Sequence, residues 1–284
     1  MPSGPPIVLT TDFGSVDAYV GVMKGVILSI NPQASIIDLS HQVQPQNLPQ
    51  AAFLLGASHH YFPPEAIHVV VVDPGVGTDR RILLLVTPTA RFLAPDNGVL
   101  SQVLLDHLYN PPHQPGRVPV PDDCSVYALS NPDYWRPSVS NTFHGRDIFA
   151  PVAAHLSLGV KPAELGKRVE QVAWLPSAEP VQEGEVIRGQ VIYQDHFGNL
   201  ITNIPQRLLA HAEQVTVTIK GASIRGLSRT FHDDPGLSRK SLAGNALLAL
   251  IGSHGYLEVA LRDGSAAQVL SAQVGEAVSV NLNP

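Results

Sequence analysis

The sequence AIHVVVVDPGVG at residues 66–77 contains the strongest strand signal in the chain. Residues 67–72 form an almost wholly apolar run with four consecutive valines, and Asp73 follows directly in a turn of Pro and Gly. An uninterrupted apolar run of this length is typical of a central parallel strand that is covered on both faces. The segment therefore predicts a layered α/β domain with an acidic group at the carboxyl end of a buried strand.

Further strands and helices alternate around this segment. Residues 7–11 form a second short apolar run, which ends in an acidic glycine turn at Asp12, and apolar residues at helical spacing predict a helix over 17–30. The remaining predictions are strands at 35–39, 82–86 and 91–94, helices at 48–60, 98–106 and 148–158, and an exposed Pro-rich loop at 111–123. Ligands bind at the carboxyl ends of strands in such sheets, so Asp12 and Asp73 mark the candidate site.

The pattern changes near residue 181. Short runs of β-favouring residues follow, separated by Gly, Asn and Asp, at 185–193, 214–220, 256–261 and 277–282. This pattern is typical of an all-β sandwich or barrel. We therefore predict a three-layer α/β/α domain over residues 1–179 and a barrel-like β domain over residues 180–284.

Composition excludes several classes of protein. The 284 residues are 44% hydrophobic, which is ample for a packed core, and the net charge of −6 comes without any run of Lys or Arg, so no nucleic-acid partner is expected. Cys124 is the single cysteine, which rules out an internal disulfide framework. No apolar run reaches the ~18–20 residues that cross a bilayer, and the first residues do not resemble a secretion signal. A cytoplasmic protein without a membrane partner is expected.

Two acidic clusters carry candidate chemistry. Asp12 and Asp17 flank a glycine turn, where carboxylates can bind a metal or accept hydrogen bonds from vicinal hydroxyls. Asp17 could instead cap the helix that follows. Asp73 stands on one tight loop with Arg80 and Arg81, so a carboxylate–guanidinium pair could hold a water or an anion, the alternative being a solvated ion pair on a surface turn.

Two further clusters contain His144 and Asp195. His144 lies between Phe and Gly, as in a histidine presented from a turn for proton transfer, although a chain with 12 His holds many that are structural. Asp195, Phe197 and Asn199 share one face if they lie on a strand, where they could stack on a flat ring and hydrogen-bond its polar atoms. A hairpin turn centred on residues 198–199 is the alternative.

Motifs for common cofactors are missing from the sequence. It contains no zinc-binding His or Cys spacing, no dinucleotide or phosphate-loop glycine motif and no Gly-x-Ser-x-Gly. Zinc binding by such motifs, nicotinamide chemistry, nucleoside triphosphate hydrolysis and classical serine hydrolysis are therefore not expected.

The clusters resemble motifs of the S-adenosyl-L-methionine (SAM) hydroxide adenosyltransferases, relatives of the fluorinating and chlorinating enzymes that attack the same substrate. The similar segments follow the family's order along nearly the whole chain, at 11–14, 19–25, 73–77, 95–98, 142–151, 195–203 and 253–258. The resemblance implies an N-terminal α/β/α domain, a C-terminal β-barrel and a homotrimer with sites between neighbouring subunits. It also implies hydrolysis of SAM, as substrate, to adenosine and L-methionine, with no metal site and no cofactor expected.

Residue roles follow from the same resemblance. The family's catalytic set falls on Asp73, Arg80 and His144, with Arg81 as the alternative arginine. Substrate binding is expected from Asp12, at the ribose, and from the neighbouring Asp17. The adenine and methionine contacts from the barrel fall on Asp195, Phe197, Asn199, Ser253 and Glu258. No role is assigned to Arg262 or to the 111–123 loop.

The nucleophile predicted for this chain is water. The halogenating relatives carry a Tyr–Thr arrangement around the halide, whereas this chain has Asp73 and Val76, and a carboxylate repels halide. Three alternatives stay open from the sequence: a SAM-dependent halogenase, a metal-dependent nucleoside hydrolase that uses Asp12 and Asp17, and a non-catalytic protein that binds adenosine or SAM.

Overall fold

The computed structural model describes residues 4–210, 214–232 and 247–283. The chain divides into two compact units, Met1–Ser177 and Ala178–Pro284. The first unit is α/β and the second is all-β, which confirms the predicted fold class.

The first unit is built on a seven-stranded mixed sheet. The strands of the whole unit in chain order are β1 (Ile7–Thr11), β2 (Ile36–Ser40), β3 (Ile67–Val71), β4 (Ile82–Val86), β5 (Arg91–Pro95), β6 (Gly116–Pro119), β7 (Ser125–Leu129), β8 (Gly166–Val169) and β9 (Gln171–Trp174). The sheet order is β2-β1-β3-β5-β4-β7-β8, while β6 and β9 form a separate pair. The first four strands of that order run parallel, and β4, β7 and β8 add antiparallel pairs.

Strand β3 holds the central position that its composition predicted. It pairs in parallel with β1 on one side and with β5 on the other, and all five of its residues are buried. Val69 and Val71 belong to one core cluster and Val70 to another, so the strand buries apolar side chains on both faces. An apolar run with consecutive valines is typical of such a position.

Helices cover both faces of this sheet. They are α1 (Tyr19–Ile30), α2 (Leu48–Ser58), α3 (Ser101–Leu105), α4 (Ala150–Ser157) and α5 (Pro162–Leu165). Side chains of α1 and α4 join the core cluster on one face of β3, and those of α2 and α3 join the cluster on the other. The three-layer α/β/α arrangement is therefore confirmed.

One local prediction in this unit was wrong, and a second was right about the helix but not about where it begins. The segment 111–123 is not only an exposed loop, because β6 lies within it, pairs antiparallel with β9 and buries Val118. Its partner lies some fifty residues further along the chain, so no local pattern could indicate the pairing. The helix predicted over 148–158 is preceded by a π-helical turn, Gly145–Phe149, and α4 begins only at Ala150.

The second unit is a nearly closed antiparallel sheet. Its elements are β10 (Val181–Glu183), β11 (Val186–Gln194), β12 (Leu200–Pro205), β13 (Thr216–Ile219), β14 (Ala222–Arg225), β15 (Leu247–Ile251), β16 (Tyr256–Leu261), α6 (Ala266–Leu270) and β17 (Ala277–Asn281). The order is β14-β13-β17-β11-β12-β16-β15, and β10 pairs with β11. Alternate apolar residues, such as Ile187 and Val191 on β11, fill the interior, as expected for a barrel-like sheet.

Among the described residues, none of the helices has the length and apolar character needed to span a bilayer.

Candidate active site

A cavity of about 380 Å³ in the first unit gathers several predicted site residues. Asp12, Asp73 and His144 line it. Asp12 follows β1 and Asp73 stands two residues after β3, so neighbouring parallel strands deliver both carboxylates to the same edge of the sheet. A larger hollow of about 500 Å³ lies against α1 and α4 but contains none of the predicted site residues. Chemistry, not size, therefore identifies the candidate site.

A buried ion pair joins Asp73 to Arg80. The guanidinium Nε lies 2.6 Å and 2.7 Å from the two carboxylate oxygens, and Nη2 also donates to Oδ2. The Asp73 side chain is 5% exposed and that of Arg80 is 10% exposed. The alternative of a solvated pair on a surface turn is therefore wrong, because this pair is screened very little by water.

The same guanidinium reaches His144. Arg80 Nη2 lies 2.9 Å from His144 Nδ1, so Asp73, Arg80 and His144 form one hydrogen-bonded chain. Burial, together with the positive charge of Arg80, lowers the pKa of His144 from its ordinary value, although Asp73 and Asp147 act in the opposite direction. His144 is therefore held neutral near physiological pH.

Arg81 has a different partner. Its Nε and Nη2 lie 2.9 Å and 2.5 Å from one oxygen of Asp96, whose side chain is 4% exposed, and Arg117 contacts the same oxygen at 2.9 Å. Nη2 of Arg81 also donates to the carbonyl oxygen of Gln171. The geometry thus places Arg80, and not Arg81, beside Asp73 and His144.

Gly77 allows the turn that follows β3 to lie close to the segment before His144. It has a φ of +81°, and a Cβ on it would lie 2.4 Å from the carbonyl oxygen of Asn141. Only glycine combines that backbone angle with so close an approach. The turn after β3 can therefore pack against the segment that carries His144.

Asp12 lines the cavity at the end of β1. Its Oδ2 accepts a hydrogen bond of 2.8 Å from the backbone N–H of Gln46, and both residues line the cavity. Asp17 is exposed and is not among the lining residues. It does not cap α1 either, because the N-cap residue is Ala18 and no side chain bonds there. Its predicted role in substrate binding stays a prediction.

An aromatic wall was missed by the sequence reasoning. The rings of Phe13, Tyr19 and Phe143 line the cavity with centroids 5.1–5.8 Å apart, and both contacts of Phe143 are edge-on. Each ring lies in a segment that the family resemblance covered, and that was the available signal. Aromatic faces of this kind suit a flat ring or a cation.

The barrel cluster at Asp195 is a hairpin turn, so the placement of its residues on one strand face was wrong. Asp195 Oδ1 accepts from the N–H groups of Phe197 (2.9 Å) and Asn199 (2.8 Å), and Oδ2 accepts from Asn199 Nδ2 (2.8 Å). These bonds turn the chain between β11 and β12 and satisfy backbone donors locally, as Asp side chains do in turns. Phe197 is 75% exposed, whereas Asn199 is buried.

Ser253 and Glu258 lie elsewhere in the second unit. Ser253 is exposed in the turn between β15 and β16, and Glu258 is buried on β16, its Oε1 3.4 Å from His254 Nδ1. Gln206, just after β12, donates to Gly255 in that turn. The turn thus meets the carboxyl end of β12, whereas Asn199 precedes its amino end. The structure does not bring Ser253 and Asn199 together within this unit.

A cluster of side chains that could ligate a metal lies outside the cavity. In the described ranges, the one set of three such side chains within mutual reach is His107, Asp123 and Cys124, none of which lines the cavity. Burial and the neighbouring Asp123 raise the pKa of the Cys124 thiol to about 12. A thiol that stays protonated is not a catalytic nucleophile.

The chain matches two family models, the SAM hydroxide adenosyltransferase N-terminal domain over residues 7–166 and the C-terminal domain over residues 189–279. The chain belongs to the SAM hydroxide adenosyltransferase family. This confirms the family that the motifs predicted.

Members and relatives of this family resemble the chain over most of its length. It is 35% identical to (R)-S-adenosyl-L-methionine hydrolase from Salinispora arenicola over 99% of both chains, and 37% identical to the enzyme of that name from Thermus thermophilus over 95% of this chain and 97% of the other. A fluorinase from Nocardia brasiliensis is 25% identical, over 98% of this chain and 97% of its own. A crystal structure of an uncharacterized conserved protein from Thermotoga maritima superposes with a TM-score of 0.83 at 36% identity, covering 97% and 99% of the two chains.

Proposed function

We propose that this protein is a SAM hydrolase that attacks C5′ with water and releases adenosine and L-methionine. The observation that carries the proposal is the hydrogen-bonded chain of Asp73, Arg80 and His144 beside a cavity, in a member of a family named for transfer of adenosyl to hydroxide. Relatives at 35% and 37% identity over nearly the whole chain are named SAM hydrolases. The enzyme class predicted from the motifs is confirmed.

The reaction requires a positioned nucleophile more than an acid. The water oxygen forms a bond to C5′ while the C5′–S bond breaks and its electron pair passes to sulfur. The sulfonium thereby leaves as a neutral thioether, which needs no proton. The attacking water loses one proton. The main contribution of the site to lowering the reaction barrier is therefore to hold this water in line with the C5′–S bond.

Asp73 is the group we assign to the water. Its Oδ1 accepts only one of the three guanidinium contacts described for this carboxylate, whereas Oδ2 accepts two. Oδ1 therefore keeps a lone pair for a water O–H, and a carboxylate so placed orients the nucleophile and accepts its proton.

His144 acts as a hydrogen-bond donor in this assignment. Arg80 occupies Nδ1, so the neutral ring carries its proton on Nε2. An Nε2–H that points at the reacting water stabilises the negative charge that develops on oxygen. Arg80 completes the set by fixing the orientation of both Asp73 and His144.

Substrate contacts follow from the remaining residues. Asp12 accepts hydrogen bonds from the ribose hydroxyls and so directs C5′ toward Asp73, with Asp17 assigned to the same end of the substrate. Asp195, Phe197, Asn199, Ser253 and Glu258 are the proposed adenine and methionine contacts. Because the structure keeps the 195–199 turn and Ser253 apart within the second unit, we assign them to different parts of the substrate.

The proposed reaction needs neither a metal nor a cofactor. The positive sulfur is already activated as a leaving group, so no Lewis acid is required. Turnover is expected to persist after treatment with a chelator such as EDTA. A rate that depends on Ca²⁺, with free adenine as product, would instead favour a nucleoside hydrolase that uses Asp12 and Asp17.

We propose a homotrimer in the cytoplasm, with each site shared between neighbouring subunits. The family resemblance supports this assembly, since the predicted site residues fall in both units of the chain. Mixing inactive Asp73→Asn protein with inactive Asn199→Ala protein tests it. Activity regained after subunit exchange supports shared sites, whereas a monomeric mass in solution or no regain contradicts them.

The primary test of function is product analysis. Purified protein incubated with SAM should release equal amounts of adenosine and L-methionine, and Asp73→Asn should abolish release while the variant still folds. Tight SAM binding without product over hours would favour a non-catalytic sensor. A 5′-halo nucleoside formed in the presence of fluoride or chloride would favour a halogenase.

A further inference from the structure

Asp147 lies outside the catalytic set, three residues after His144, and is fully buried. It occupies the π-helical turn Gly145–Phe149, which leads from the cavity into α4. Arg146 donates two hydrogen bonds to the carboxylate, from Nε to Oδ1 at 2.7 Å and from Nη2 to Oδ2 at 2.9 Å. The backbone N–H of Ser140 donates to Oδ2 at 2.8 Å, and Arg136 lies 3.9 Å from Oδ1.

The buried carboxylate is ionised. Burial alone raises its pKa, but the hydrogen bonds from Arg146 and from the Ser140 N–H, with the charges of Arg146 and Arg136, hold the pKa of Asp147 below its usual value. A buried charge of this kind persists only when its partners are fixed in place, so Asp147 imposes one geometry on the residues around it.

Two contacts run from Asp147 to the cavity wall. On one side Ser140, held through its N–H, bonds through its hydroxyl to the Thr142 hydroxyl (3.1 Å) and accepts from the Thr142 N–H (3.2 Å). On the other side Arg146 lies over the ring of Phe143, 5.3 Å from its centroid. Thr142 and Phe143 both line the cavity and immediately precede His144.

We propose that Asp147 is a positioning residue for the reaction, which fixes the segment 140–146 so that the ring of His144 meets Arg80 on one side and the reacting water on the other. The inference rests on the proposed function. It goes beyond that function because Asp147 neither lines the cavity nor belongs to the set expected to touch substrate.

The test compares Asp147→Asn with Ser157→Ala. The Asn variant keeps the shape and an acceptor for Ser140 but removes the charge that orders Arg146. The control removes a buried hydrogen bond from Asn31 (2.9 Å) at the far end of α4, away from the cavity. Both variants are expected to lower the melting temperature. Only Asp147→Asn is expected to lower kcat, by about tenfold or more, with KM within about twofold.

A second readout is the pH dependence of kcat. The charged groups that face His144 are Asp73, Arg80 and Asp147, and Asp147 raises the pKa of His144. Its removal should therefore move the acid limb of the profile to lower pH, which a purely structural defect would not do. Should Asp147→Asn fail to fold, Arg146→Lys serves instead. It keeps the charge but cannot bind both carboxylate oxygens, and it should lower kcat in the same way.

The outcomes separate this inference from the proposed function. An unchanged kcat in folded Asp147→Asn, or an equal loss in Ser157→Ala, would overturn the positioning role. If the wild-type protein releases no adenosine, the proposed function fails, and the ring ¹⁵N shifts of His144 decide the inference alone. Shifts that differ between wild type and Asp147→Asn but not Ser157→Ala support it, and shifts that stay the same refute it.

Discussion

Arg80 Nη2 lies 2.9 Å from Nδ1 of His144, and a guanidinium can only donate. His144 must therefore accept at Nδ1, which fixes the proton of the neutral ring on Nε2. The arrangement excludes proton abstraction by Nδ1 while Arg80 is in place. It makes the imidazole a fixed donor, and it leaves Asp73 as the acceptor in the proposed catalytic set.

This contact predicts that the rate of the reaction falls at acid pH. Protonation of His144 would place an N–H opposite the Arg80 N–H, so we expect the active form of the ring to be neutral. Burial and the charge of Arg80 lower the pKa of His144 from 6.5, which favours that form. The value of kcat should fall on acidification only below pH 6.5 and stay level above it. A profile from about pH 5 to about pH 8 measures this.

His155 provides the control for that profile. Burial lowers its pKa as well, but it lies against the other hollow, away from Asp73. His155→Gln should leave the acid limb in place. A limb centred above pH 6.5 in the wild-type protein would contradict a neutral His144.

The two adjacent arginines should differ sharply in their effect on catalysis. Arg80→Lys keeps a charge but loses the fork that binds Asp73 and His144 together, so kcat should fall by about 10²-fold, as for loss of one preorganised donor. Arg81→Lys weakens the contact with Asp96 and should lower the melting temperature while kcat stays within about twofold. Steady-state kinetics and thermal melts of both variants test the pair. Equal losses of kcat would contradict the assignment of Arg80.

Gly77→Ala tests the approach of the Asp73 turn to the His144 segment. The new Cβ would have to displace the Asn141 carbonyl, in addition to the ~1–2 kcal/mol that a left-handed φ costs a residue with a side chain. We expect loss of both stability and kcat. Gly159 is the matched control, because its φ is +93° and no atom lies within 4 Å of an added Cβ. Gly159→Ala should cost stability alone, and a Gly77→Ala variant with full activity would show that the close approach of Gly77 to Asn141 does not position the site.

His68 should make the fold sensitive to acid. It is fully buried on β3, stacks on Phe92 at 5.0 Å, and neither ring nitrogen has a partner within the described part of the chain. Burial lowers its pKa from 6.5 to about 4, so the unfolded state binds the proton first and stability is lost as pH falls below 6.5. The loss amounts to about 3 kcal/mol by about pH 4.

Denaturant melts at neutral and acid pH measure that contribution. His68→Phe should show a weaker loss of unfolding free energy on acidification than the wild-type protein. The exposed His60, replaced by Phe, should change nothing. Equal pH dependence in all three proteins would show that His68 does not carry the effect.

The parts of the fold that could be predicted are those with local signals. The valine run of β3 is a local signal, because a run of this kind is typical of a strand buried on both faces. The position of Asp73 at the sheet edge then follows from the parallel topology. In contrast, β6 was missed because its partner β9 is distant in sequence. The contact of Gly77 with Asn141 is equally non-local, and no spacing rule indicates it.

The candidate site was predictable only in part for the same reason. Asp195, Phe197 and Asn199 fit a strand face and a turn equally well by spacing, and the turn prevails because Asp195 satisfies three N–H groups at once. The choice between Arg80 and Arg81 depends on which way each side chain points from adjacent positions. The family motifs named Asp73 and His144, but only the packed loops show that one guanidinium joins them.

Hydrolysis of SAM in water enriched with oxygen-18, followed by mass analysis of both products, shows which atom the water attacks. Attack of water on C5′ should give adenosine with one oxygen-18 atom at the 5′ position and unlabelled L-methionine, and Asp73→Asn should give no product. Adenosine without the label, or adenine released with a labelled sugar, would contradict attack of water on C5′.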